Sequence, residues 1–183
     1  MNYATVAPIV RALQRDVRLD IYFTASEDPG RCHEIYAEAT PPYRLINPWL
    51  ATFLRFDVYL AADFLWVNLL RGARRVQTFH GVAGKYRTIY DSPSRSMREW
   101  DRLFFINRRR YEHFITSGAI DAEGQSARLI GMPRLDCLVD GSLERDEVLQ
   151  SLGLDPAGRT VMYAPTWSPY SSLTVMGEEL IKG

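Results

Sequence analysis

Four short runs of β-branched, aromatic and aliphatic residues, set apart by helix-sized intervals, constrain this chain more than any other feature. They are Asp57-Val58-Tyr59-Leu60-Ala61, Arg75–Phe79, Arg102–Ile106 and Ala127–Ile130. Strands spaced in this way pair in parallel through right-handed crossovers, since a hairpin turn cannot return the chain to the same end of the sheet. The expected fold is therefore α/β, built on a doubly wound parallel sheet.

The intervening segments fit this reading. Val6, Ile9, Val10 and Leu13 repeat at helical spacing, with Pro8 tolerable in a first turn. Leu19–Phe23 reads as a short strand closed by Glu27-Asp28-Pro29-Gly30, and Cys32–Thr40 as a short helix stopped by Pro41-Pro42. Pro48–Phe56 and Phe64–Leu70 are expected to be helical, and Gly81–Ser96 to be a loop. Asn107 caps a helix that carries Tyr111, Phe114 and Ile115 on one face. An α/β sheet normally has a strand before its first helix. Here there is no room for one, so the first strand is expected to lie upstream or the chain to be a fragment.

The pattern changes after Asp140-Gly141. Ser142–Leu152 is expected to be a connecting helix, capped by Ser142 and ended by Gly153. Thr160–Tyr163 follows as a new strand running into Ala164-Pro165-Thr166-Trp167, with one more helical segment from about Val175. The expected organisation is a Rossmann-like domain over 1–141, then a linker helix and the first part of a second α/β domain over 142–183. A second unit so short cannot close a core of its own.

Composition removes several function classes. The chain has 22 basic and 22 acidic side chains. It therefore lacks the global field that collects nucleic acid or anionic lipid, and any anion site must be local. Aromatic residues fall at core spacings and form no base-stacking ladder, which argues against nucleic acid as a partner. Cys32 and Cys137 lack metal-ligand spacing and read as buried thiols of a reducing compartment. With no signal peptide and no apolar run near ~20 residues, a cytoplasmic location is expected.

Open parallel sheets bind ligands beyond the carboxyl ends of their strands. After Arg75–Phe79 come His80-Gly81-Val82-Ala83-Gly84-Lys85. Gly81 and Gly84 let the backbone approach a ligand and present amides to an anion, and Lys85 adds a charge. His80 has an imidazole suited to take a proton from a hydroxyl near neutrality, although a lone histidine is more often structural. After Ala127–Ile130 come Gly131-Met132-Pro133-Arg134-Leu135-Asp136, where Arg134 either meets an anion or pairs with Asp136. In Pro165-Thr166-Trp167, the hydroxyl, the indole face and nearby amides suit a nucleotide or its phosphates, or else form a plain turn with a core tryptophan. Arg108-Arg109-Arg110 sets three positive charges in the first turn of a helix, against its dipole, as a solvated run or an anion site.

In this order, Thr78-Phe79-His80-Gly81 with Lys85, Gly131–Asp136, and Met162-Tyr163-Ala164-Pro165-Thr166-Trp167 resemble the CDP-glycerol glycerophosphotransferase family. The likeness runs from about Asp57 to Trp167. Such enzymes build teichoic acid and related polyol-phosphate polymers. The resemblance implies a two-domain GT-B architecture, with an acceptor-side N-terminal domain and a nucleotide-binding C-terminal one. It implies that His80 is the general base for attack of an acceptor hydroxyl on the β-phosphorus of CDP-glycerol, with CMP leaving. Gly81, Lys85, Pro165 and Thr166 then bind substrate or phosphate, and Arg134 does so or braces its loop.

CDP-glycerol is a donor substrate in this reading. No further cofactor is expected, nor a metal, because no His/Asp/Glu cluster offers a ligand set. A lipid-linked polymer acceptor and peripheral contact with the inner membrane face are implied as well. Two departures stand out: Ala83 and Gly84 replace the family's proline and bulky apolar residue. The family's Asp-Tyr-Ser-Ser stretch belongs beyond residue 183, and Tyr170-Ser171-Ser172 follows the wrong strand for it. The 183 residues alone are therefore expected to be inactive. Two readings compete: another GT-B enzyme, such as a sugar-nucleotide glycosyltransferase or a UDP-sugar 2-epimerase, and a non-catalytic remnant module.

Overall fold

The computed structural model describes residues 3–26, 28–62, 67–79, 97, 99–121, 126–165, 171–177 and 179. The chain divides into two compact units, Met1–Val139 and Asp140–Gly183.

The first unit opens with helix α1, Tyr3–Leu13, which buries Tyr3, Val6, Ala7 and Val10 along one face. Pro8 lies in its second turn and not its first, where it removes one donor from the helical ladder. Strand β1, Tyr22–Phe23, pairs in parallel with β2, Arg44–Leu45. This pair is shorter than the run Leu19–Phe23 suggests, and β2 carries no alternating pattern of its own. What secures it is aromatic packing: Phe23 stacks on Tyr36 with centroids 4.6 Å apart and meets Tyr43 at 4.9 Å and Tyr3 at 5.7 Å. The Tyr36 hydroxyl donates to the Thr24 carbonyl at 2.8 Å. A 3₁₀ turn, Pro29–Arg31, leads into helix α2, Cys32–Ile35.

Helix α3, Pro48–Phe53, begins where Asn47 Oδ1 accepts from the Trp49 amide and Pro48 fills the first helical position. Four strands then form one sheet: β3, Val58–Ala61; β4, Arg74–Thr78; β5, Arg102–Phe105; and β6, Ser126–Leu129. Their spatial order is β3-β4-β5-β6 and every pairing is parallel, so the fold is α/β of the Rossmann-like kind. Residues 67–70 are not helical, and the rest of the expected helix Phe64–Leu70 lies outside the described residues.

Helix α4, Arg108–Thr116, packs on this sheet. Ala61, Phe79, Met97, Trp100, Leu103, Phe105, Phe114, Ala119 and Ile120 form its core. The chain leaves β6 through Gly131, whose φ of +74° suits a residue without Cβ, into a 3₁₀ helix, Pro133–Leu138, that contacts α1.

In the second unit helix α5 spans Arg145–Ser151. It starts at Glu144 and not at Ser142, because the Ser142 amide is held in a turn by Asp140 Oδ1 at 2.8 Å. Asp146 and Glu147 in its first turn complement the helix dipole. Its end matches the sequence signal. The Gly153 amide bonds the Gln150 carbonyl and the Leu154 amide the Leu149 carbonyl, with Gly153 at φ +71°. Helix α6, Ser172–Met176, is capped by Ser171 and so begins earlier than Val175.

Thr160–Tyr163 does not form a strand. Val161 is 92% exposed and no described residue of the unit pairs with this segment. An apolar run becomes a strand only where a neighbour supplies the ladder.

Leu103 is fully buried in the centre of the sheet. Leu103→Ala is expected to cost about 2–5 kcal/mol in chemical denaturation, whereas Val161→Ala should stay within about 0.5 kcal/mol. Equal effects would contradict this placement of the core.

Candidate functional site

The carboxyl end of the sheet is where the chemistry-bearing segments leave their strands. The ends of β4 and β6 flank β5, so their tips are separated by two strand spacings, about 10 Å. At the first tip Thr78 and Phe79 are buried, and the Phe79 amide reaches the Phe104 carbonyl at 3.4 Å. His80 follows directly in sequence. At the second tip the Ile130 amide donates to the Phe105 carbonyl at 2.9 Å, carrying the pairing one residue past β6 before Gly131 turns the chain. The sheet therefore brings the origins of two predicted clusters to one edge.

His80, Gly81, Lys85 and Thr166 themselves lie outside the described residues, as does the loop Gly81–Ser96. Arg134 is exposed on the 3₁₀ helix, and no ion pair joins it to Asp136 among the described residues, so its guanidinium is not spent on that carboxylate. The turn is braced by the backbone: the Leu135 amide donates to the Met132 carbonyl at 2.8 Å, and the Cys137 thiol faces the Arg134 carbonyl at 3.4 Å. Pro165 is exposed in the second unit, where the Tyr163 hydroxyl bonds the Ser172 hydroxyl.

Helix α4 starts at the same edge, immediately after β5. Asn107 Oδ1 accepts from the Arg110 amide at 2.8 Å, the cap expected from sequence. The three arginines of the first turn divide. Arg108 and Arg109 are exposed, and Arg108 approaches Glu112 at 4.0 Å. Arg110 is only 6% exposed, with its guanidinium carbon 4.5 Å from the Phe79 ring centroid and 5.9 Å from that of Phe114. Neither a solvated run nor an open anion site describes Arg110. The signal was present in the spacing, since Arg110 precedes Phe114 by one helical repeat and shares its inward face.

Other groups are set aside by their surroundings. Burial pushes the Cys32 thiol above its ordinary range, so it is a poor nucleophile. Burial likewise raises Tyr59, whose hydroxyl oxygen accepts from the Val67 amide at 2.8 Å. Among the described residues no three His, Cys, Asp or Glu side chains gather as a metal-binding group. An open depression lined by Arg55, Asp57, Arg74 and Asp101 lies at the opposite, amino-terminal edge of the sheet, away from the strand ends that carry the clusters.

Residues 42–180 match the family model described as CDP-Glycerol:Poly(glycerophosphate) glycerophosphotransferase. The match covers most of the chain, and the chain belongs to that family. Comparison with curated proteins finds no match, and comparison with solved structures finds none.

The position of α4 at this edge depends on its cap. Asn107→Ala should lower stability by about 1 kcal/mol, whereas Asn107→Asp should keep it, because aspartate caps equally well and favours the helix N-terminus. Urea denaturation of both variants checks this, and an alanine variant as stable as the parent would refute it.

Proposed function

We propose that this member of the CDP-glycerol:poly(glycerophosphate) glycerophosphotransferase family moves glycerophosphate from CDP-glycerol to a hydroxyl of a lipid-linked or polymer acceptor, in the synthesis of a cell-wall or capsular polymer. The observation that carries the reading is the common edge of β4 and β6, which sends out the His80 and Arg134 segments in a chain whose family match spans both.

In the proposed step His80 takes the proton of the acceptor hydroxyl. The oxygen bonds to the β-phosphorus, the bond from that phosphorus to the bridging oxygen breaks, and CMP departs with the bridging oxygen. Little else is asked of the protein, because phosphoryl transfer depends on positioning and on fixed donors for the phosphoryl oxygens. The amides around Gly81, Lys85, Arg134, Thr166 and the Pro165 turn are assigned that role.

The test uses the longest natural polypeptide that contains these residues, with CDP-glycerol and a polyol-phosphate acceptor, reading CMP release. His80→Ala should lower the rate about 10²–10⁴-fold, the contribution of a well-placed general base. A change of only a fewfold removes the base assignment and favours a non-catalytic module. Turnover of UDP-sugars in preference to CDP-glycerol favours a different nucleotide-dependent transferase.

A lipid-linked acceptor calls for contact with a membrane surface, and one patch supports it. Trp49 (76% exposed), Leu50 and Phe53 project from α3, and the Leu70 amide bonds the Thr52 carbonyl at 3.0 Å, setting exposed Leu70 beside them. Arg55 and Arg71 follow Leu54 and Leu70 directly. Aromatic and aliphatic side chains rimmed by arginine suit an anionic bilayer surface. No described helix is long and apolar enough to cross a membrane. The protein should co-sediment with phosphatidylglycerol vesicles, less so at high salt, and Trp49→Ala/Phe53→Ala should abolish this. Undiminished sedimentation of the double variant, or a lipid-free dimer that it disrupts, would count against the membrane assignment.

A further inference from the structure

We propose that the open depression at the amino-terminal edge of the sheet receives a zwitterionic phospholipid headgroup. Arg55 and Arg74 take its phosphodiester, and Asp57 and Asp101 take its ammonium group. The inference deepens the membrane reading of the α3 patch and rests on it.

The depression has a volume of about 290 Å³ and is open to solvent. Three neighbouring strands begin at it: Asp57 precedes β3, Arg74 opens β4 and Asp101 precedes β5. Residues of negative, positive and negative charge thus stand on successive strands about 5 Å apart. Backbone bonds fix their places. The Arg74 amide donates to the Asp57 carbonyl at 3.0 Å, the Arg75 amide to Asp101 Oδ2 at 2.7 Å, and the Asp101 amide to the Arg75 carbonyl at 2.9 Å. The side chains nevertheless do not neutralise one another. Among the described residues no ion pair joins Arg55 or Arg74 to a carboxylate, whereas Arg75, one residue on, pairs with Glu99 at 3.2 Å. Gly72 leaves the space clear, since a Cβ added there meets no atom within 4 Å.

A lining with two charges of each sign has no net attraction for a bare anion, and its carboxylates repel one. It matches a ligand that carries both signs. A guanidinium binds phosphodiester oxygens through paired N–H donors, and a carboxylate accepts from an ammonium. A phosphoethanolamine headgroup holds these two groups on a short link. The location supplies the source. Arg55 lies two residues after Phe53 and Gly72 two residues after Leu70, so at most about 7 Å of chain separates each from the apolar patch. Exposed rings such as Trp49 settle at headgroup depth, which brings the depression to the level of the lipid phosphates.

The test compares two vesicle preparations with equal phosphatidylglycerol content. One is completed with phosphatidylethanolamine, the other with phosphatidylcholine, whose quaternary ammonium donates no hydrogen bond. Co-sedimentation should need about tenfold less lipid with phosphatidylethanolamine, the factor expected of one charge-assisted hydrogen bond. Arg74→Gln, Asp57→Asn and Gly72→Gln, which fills the depression without changing its charge, should each remove this preference. All three positions are exposed, and circular dichroism confirms that the variants are folded. Equal binding of both vesicles by the parent, or a preference that survives any of the three substitutions, would overturn the proposal. Should the parent bind neither vesicle, the membrane reading fails, and calorimetric titration with soluble glycerophosphoethanolamine decides the site. Binding lost in Gly72→Gln then keeps it as a site for the free headgroup. No binding, or binding that Gly72→Gln leaves unchanged, removes it.

Discussion

The packing of α4 against the ends of β4 and β5 is the interaction on which the rest of this structure depends. Phe105 meets Phe79, Tyr111 and Phe114 with centroids 4.9–5.4 Å apart, and Leu103 closes the layer beneath them. A parallel sheet has no hairpins to tie its strands together, so its stability comes from the helices that cover it. Covering β5 also fixes where α4 begins. Because Asn107 stops the strand and caps the helix within two residues of Phe105, there is no slack at this edge. The described carboxyl ends of β4 and β6 thereby lie on either side of the strand that leads into α4.

Much of this was legible in the sequence because local and global signals agree there. The four strand runs, the Asn107 cap and the Gly153 stop each state a backbone preference that tertiary packing has no cause to override. Where they disagree, the sequence misleads. Thr160–Tyr163 has a strand's composition, yet a strand is a relation between two segments, and no described residue pairs with this one, so Val161 and Met162 stay exposed. β2 shows the converse, a two-residue pairing with no alternating pattern, formed because Phe23 and Tyr43 pack together. Ser142 lost its helix to Asp140, a competition between two short side-chain bonds that spacing alone does not decide.

For the candidate site, what the structure adds to the sequence is the position of two strand ends. The expectation that ligands gather beyond strand ends directed attention to the residues after Phe79 and Ile130, and the sheet order places those two exits on either side of β5. Arg110 shows where composition reading fails. A run of three arginines looks uniform, but a helix turns by 100° per residue, so three successive residues face three ways, and the third shares the face of Phe114.

The net charge of zero and the presence of only two lysines then take on a local meaning. At the amino-terminal edge of the sheet, charges of opposite sign compensate one another: Arg75 pairs with Glu99 at 3.2 Å, and its amide with Asp101 Oδ2 at 2.7 Å. At the carboxyl edge Arg108 and Arg109 are exposed in the first turn of α4, Arg110 is buried, and Arg134 and Asp136 are both exposed on the 3₁₀ helix after β6, with no ion pair between them among the described residues. A balanced chain of this kind has no far-reaching attraction for polyanions. Any anion site in it must act at short range, where fixed dipoles such as the N-terminus of α4 are strongest.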